Sequence, residues 1–249
     1  MNVHQLTNVA GIVAGVAPGT AIAALDVFTA TGGRDTDIIA AINWSIQNKS
    51  VYNIVAMNLS LGSSSRNSST CSNSVYSTPF TQARAAGIVP VVASGNDGYT
   101  NGIAEPACAT GAVSVGAVYD SNVGSRAWSV CTDSSTAADK VTCFSNSANI
   151  LTLLAPGSLI EAAGIQQSGT SQATPHVAGA VAVLRALFPT DTVEQTVARM
   201  TSSGVSVTDT RNGIIKPRLN LAAATNTIIT PPANDNFTSR LAVGGTLIS

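Results

Sequence analysis

Four apolar runs of strand length mark the first half of the chain: TAIAALDVF (20–28), NIVAMNLSL (53–61), GIVPVVAS (87–94) and GAVSVGAV (111–118). Helix-like stretches stand between several of them, and that alternation predicts βαβ units closing on a mostly parallel sheet. One such stretch, RDTDIIAAINWSIQNK (34–49), puts Ile38, Ile39, Ile42 and Ile46 on one face. Asp35 and Asp37 fall in its first turn and Lys49 in its last, which suits the helix dipole. With 249 residues, 45% of them apolar and 10% charged, the chain is long and apolar enough to fold as one large domain.

A second helical pattern, ATPHVAGAVAVLRALF (173–188), is rich in small residues and carries Pro175 near its start, where a missing N–H is tolerated. Ser171 therefore stands just ahead of a helix N-terminus, with free backbone N–H groups and positive potential beside it. By position alone it reads as a helix cap. A nucleophilic serine needs the same setting, together with a base and donors aimed at the developing oxyanion.

The complete stretch SGTSQATPHVAG (168–179) resembles the serine motif of the subtilisin-like serine peptidases. The resemblance extends in order through TNVAGIVAGVAPG (7–19), NLSLG (58–62), VVASGNDG (91–98), EPACATGAVSVGAV (105–118) and FSN followed by LLAPG (144–157). It implies a three-layer α/β fold, with a mostly parallel central sheet between helices, over residues 1–225. It also implies an endopeptidase acting on polypeptides through an acyl-enzyme on Ser171, with Asn96 and the Ser171 N–H as the oxyanion hole. By the same resemblance Ser60, Leu61 and Gly62 line one side of the cleft and Ala93, Ser94 and Gly95 the other, pairing with an extended peptide by strand addition. His176, five residues past Ser171, corresponds to a structural position and is expected to be a hydrogen-bonded core histidine.

Two parts of the family pattern are missing. The family order is Asp, His, Ser, and no strand bearing the aspartate precedes TNVAG. Where the family has histidine the chain reads QLTNVAG, with Gln5 in that position and His4 one residue early, about 100° away on a helix. Asp26, Asp97 and Asp120 lie in segments that do not correspond to the aspartate strand. The expectation is an N-terminally truncated peptidase domain of low activity, with residues 226–249, opening on TPPANDNF (230–237), as linker and start of a further truncated domain. The alternative is a peptide-binding pseudopeptidase. An α/β-hydrolase esterase is excluded because no serine sits in G-x-S-x-G.

Composition narrows the partners. A formal charge of −1 without a Lys/Arg cluster disfavours nucleic acid and membrane surfaces, and a monomer is expected. No cofactor is needed for the chemistry. Family members often hold structural calcium, yet no acidic cluster here resembles such a site, and no metal ligand is assigned. Cys71, Cys108, Cys131 and Cys143 include no C-x-x-C pair, which favours disulfides over zinc. Of the three possible connectivities the expected one is Cys71–Cys108 with Cys131–Cys143, the second closing a short local loop. Family and cysteines together point to an extracellular protein, although the chain shows no basic region ahead of an apolar signal core.

Overall fold

A computed structural model describes residues 3–29 and 32–226. The chain opens with helix α1 (Val3–Val16), a short hairpin β1 (Phe28–Thr29) and β2 (Gly32–Gly33), then α2 (Asp35–Gln47) and α3 (Lys49–Tyr52). It continues through β3 (Ala56–Leu59), α4 (Ser77–Ala85), β4 (Val89–Ala93) and β5 (Val113–Val118), followed by two small ribbons flanking a strand: β6 (Arg126–Ala127) with β7 (Thr132–Asp133), β8 (Leu153–Pro156), and β9 (Ile160–Ala162) with β10 (Ile165–Gln167). Helices α5 (Thr170–Leu187) and α6 (Val193–Ser202), strands β11 (Val205–Thr208) and β12 (Ile215–Arg218), and α7 (Leu221–Ala224) complete it.

Six strands form the central sheet in the order β11-β12-β8-β5-β4-β3. Neighbours from β12 to β3 run parallel, and β11 joins antiparallel at one edge. The period-2 alternation of side chains sorts the sheet into two cores. Val89, Val91, Val113, Val115, Ala117, Leu153 and Ala155 face α5, while Val92, Val118, Leu154, Met57 and Leu59 face Ile38 and Ile42 of α2 and Phe80 and Ala83 of α4. Full burial of each Val or Leu contributes about 1.5–3 kcal/mol. These interleaved rows make the three-layer α/β arrangement that the alternating pattern predicts.

Two local expectations are corrected. The run 20–28 is not a strand: only Phe28 and Thr29 pair, and Ile22 and Leu25 are 45% and 38% exposed. Strand composition cannot make a strand without a partner, and among the described residues β3 pairs only with β4. Lys49 does not close α2, which ends at Gln47. It begins α3, after a break at Asn48. Gly179 of α5 lies against α1, where a Cβ would come within 2.8 Å of Val16 Cβ. The loop after β5 contains a small hairpin, β6–β7, and both expected disulfides form, Cys71–Cys108 and Cys131–Cys143.

Candidate active site

The helix carrying Ser171 starts one turn earlier than its apolar pattern suggests, at Thr170, with Gly169 as the N-cap. Its first backbone donors can be followed one by one. Thr170 N–H donates to Asn96 Oδ1 at 2.8 Å, and Gln172 and Ala173 N–H both donate to Gly169 O. The Ser171 N–H is left without a partner among the described residues. Pro175, inside the helix, has no N–H to return to the carbonyl of Ser171 four residues back. Ser60 Oγ supplies that bond instead, at 2.7 Å, and Ser171 Oγ donates to Ser60 O at 3.2 Å. A reciprocal Ser60–Ser171 pair thus ties the end of β3 to the tip of α5.

Asn96 is exposed on the loop following β4. Its Oδ1 accepts from both the N–H and Oγ1 of Thr170, at 2.8 and 3.0 Å. With the amide oxygen engaged, the NH2 end remains a donor with no partner among the described residues. The loop is held from below by Asn146, fully buried, whose Oδ1 accepts from Asp97 and Tyr99 N–H while its Nδ2 donates to Ser94 O and Asp97 Oδ2. Gly95 is required between them: it has φ 105°, and a Cβ there would stand 2.2 Å from Asn146 Nδ2. Two donors without a partner among the described residues, Asn96 NH2 and the Ser171 N–H, therefore belong to residues that line one cleft with the Ser171 hydroxyl.

These groups open into a cleft of about 390 Å³. Ser60, Leu61 and Gly62 line one wall, and Ala93, Gly95 and Asn96 the other, with Thr170 and Ser171 between them. Ser94 is the exception among the residues singled out in the sequence. It is fully buried behind the wall, donating through Oγ to Asn146 O at 3.0 Å. Gln5, at the first turn of α1, lines the cleft with Ser171, whereas His4 is exposed and does not border it. His176 is half-buried with Nδ1 on Gln172 O at 2.9 Å, so neither histidine of the chain borders the cleft. Asp97 is the carboxylate on its rim, bound to the Asn146 amide.

Sequence reasoning did not single out Asn146, Thr170 or Asn8. Asn8 is fully buried in α1 and joins three elements: its Nδ2 donates to Ile160 O and Ile165 O, and its Oδ1 accepts from Gln172 Nε2. A buried amide inside an otherwise apolar helical pattern is the signal that could have found it. Among the described residues no group of three or more His, Cys, Asp or Glu is placed to hold a metal, and no helix is long and apolar enough to cross a membrane.

The sequence model of the subtilase family, peptidase class S8, matches residues 3–227. An extracellular serine proteinase of a Thermus species is 31% identical over 205 residues, which cover 79% of this chain and 44% of that protein. A subtilisin of Bacillus pumilus is 32% identical over 210 residues, 81% of this chain and 66% of its own length. Several other relatives are likewise matched over only about half their length. A solved cold-adapted subtilisin-like serine proteinase superposes with a TM-score of 0.67 at 28% identity, covering 86% of this chain and 73% of that one. A serine at a helix tip in one cleft with two unpaired donors, a matching parallel sheet and a family match over nearly the whole described length lead to one conclusion: the chain belongs to the subtilase family.

Proposed function

We propose that the cleft is that of a subtilisin-type serine endopeptidase, in which Ser171 Oγ attacks a peptide carbonyl to give an acyl-enzyme and the oxyanion is received by the Ser171 N–H and the Asn96 amide. The observation that carries this reading is the pair of unpaired donors in one cleft with the hydroxyl, since such donors stabilise charge that exists only in the transition state. Substrate would enter as an extended polypeptide between Ser60–Gly62 and Ala93–Gly95. Residues 1–225 would form the peptidase domain. The segment assigned to linker and further domain, 226–249, lies outside the described residues from position 227 onward. Extracellular location rests on the two disulfides and on the secreted relative.

Turnover in this chain is proposed to be slow. A glutamine amide neither accepts nor delivers a proton at neutral pH, so Gln5 cannot do what an imidazole does for the serine. A second reading, a peptide-binding protein that does not hydrolyse, draws on the Ser171 hydroxyl being engaged with Ser60 O rather than with a base. The Gln5→His variant separates the two. Losing the histidine in subtilisin costs more than losing the aspartate, so an imidazole restored alone should raise hydrolysis of a chromogenic peptide by roughly 10–100-fold. That gain should vanish in Gln5→His/Ser171→Ala. No gain in a folded Gln5→His protein that still binds peptide would favour the binding reading.

A further inference from the structure

A groove of about 1000 Å³ lies far from the cleft. It lies where α4 ends, β4 and β5 begin, and α5 passes to α6, with Ala85, Ala86, Ala112 and Pro189 as apolar wall and Lys49, Arg84 and Arg185 as cations. Gly87 enters β4 from this side and Gly95 leaves it on the cleft side. At about 3.3 Å per residue the two sites stand roughly 25 Å apart.

Charge in the groove is unbalanced at one point. Arg84 is satisfied, through Gly111 O at 3.3 Å and Glu194 Oε1 at 3.2 Å. Asp191 is hydrogen-bonded by Arg199, and its carboxylate also feels the charge of Arg185 without bonding to it. Lys49 and Arg185 have no hydrogen-bonding or ion-pair partner among the described residues, and Arg185 Nη1 is buried without an acceptor. They flank the same piece of backbone: a Cβ built on Gly87 would lie 3.4 Å from Lys49 Cε and 3.8 Å from Arg185 Nη2. Two like charges facing one point repel, and a buried guanidinium nitrogen with no acceptor costs about 1–3 kcal/mol. The C-terminal dipole of α5 favours a cation near Arg185, but it supplies Nη1 with no acceptor.

We propose that Lys49 and Arg185 form an oxyanion-binding site, which takes a carboxylate, sulfate or phosphate group between them at Gly87. An oxyanion there meets Nη2 of the Arg185 guanidinium and the ammonium end of Lys49, both able to give charge-assisted hydrogen bonds, which are stronger than neutral ones. The apolar wall leaves room for the chain that carries the group, and a ligand in this groove leaves the peptide cleft free.

Binding is tested on the full 249-residue protein by titrating sodium sulfate against sodium chloride at constant ionic strength, following the Gly87 and Gly111 amide resonances. Saturable shifts at both amides are expected in the parent protein, with sulfate affinity falling at least about tenfold in Lys49→Gln/Arg185→Gln. Should the double variant fold poorly, Lys49→Gln alone is expected to weaken binding several-fold. Parallel titrations with sodium acetate and with a short peptide ending in glutamate distinguish an inorganic anion from a polypeptide carboxylate as the better occupant. Shifts that do not saturate, or that persist unchanged in either variant, would overturn the site. None of these readouts depends on peptidase activity, so they stand apart from the function assigned to the cleft.

Discussion

At the scale of single residues, the candidate site depends on a few amides whose two ends are used differently. Asn96 gives its oxygen to Thr170 and keeps its NH2 for the cleft, so Asn96→Ala removes the donor and the acceptor of Thr170, while the reciprocal bonds with Ser60 still hold Ser171. In the Gln5→His background that loss is expected to lower the acylation rate by about 10²–10³ with little change in peptide binding, as read from single-turnover kinetics. Gly95 is constrained twice, by its left-handed backbone and by Asn146 Nδ2. Gly95→Ala should therefore displace the oxyanion loop and destabilise the fold by more than 1 kcal/mol, visible as a lower denaturant midpoint. Ser171, Asn96 and Gly95 can all be found in the sequence because each belongs to a short motif. Asn146 closes the quoted FSN segment, but its role could not be read there, because its bonds reach residues about 50 positions away.

At the scale of elements, α5 shows how one helix serves both packing and chemistry. Ala173, Val177, Ala180, Val181 and Leu184 bury against the sheet, and Gly179 admits α1 on the other side. Pro175 releases the Ser171 carbonyl to Ser60, so a proline that the helix start tolerates also docks the helix tip onto the end of β3. The loop after β5 has little apolar content and is stabilised differently. Trp128 Nε1 donates to Tyr119 OH, Tyr119 OH donates to Asp133, and Cys131–Cys143 closes a separation of 12 residues. Replacing both cysteines, Cys131→Ser/Cys143→Ser, is expected to cost about 3 kcal/mol by the chain-entropy argument, measured by denaturant unfolding. A cost near zero would mean that the Tyr119–Asp133–Trp128 network alone holds the loop.

For the molecule as a whole, acid stability follows from two buried carboxylates that remain ionised. Burial pushes Asp133 upward, but the Cys143 N–H, Lys140 and Tyr119 outweigh it and hold its pKa below the usual range. Burial likewise opposes Asp209, and Arg211 overcomes it while also donating to Cys143 O and Ser145 O beneath the oxyanion loop. A depressed folded pKa means that the unfolded chain binds the proton first. The stabilisation is complete above the unfolded value near pH 4 and is lost as pH falls through the folded values below it. Unfolding followed by circular dichroism from pH 6 to pH 2 should show stability falling below about pH 4, with a shallower fall in Asp209→Asn.

The sequence by itself determined the alternation of strands and helices, the parallel sheet, the disulfide pairing and the residues at the serine tip, because these follow from local periodicity, loop length and contiguous motifs. Tertiary structure alone decided the rest. Residues 20–28 have strand composition but remain unpaired, since a strand exists only where a neighbour supplies its hydrogen bonds. Ser94 reads as cleft wall in its motif and turns inward, because strand alternation aims its hydroxyl at Asn146 O. That Gln5 and not His4 lines the cleft with Ser171 is set by the rotation of α1, which Asn8 fixes through bonds to β9, β10 and α5 from more than 150 residues away in the chain. The meeting of Lys49 with Arg185 at Gly87 joins three distant segments, and no pattern along the chain brings their charges together.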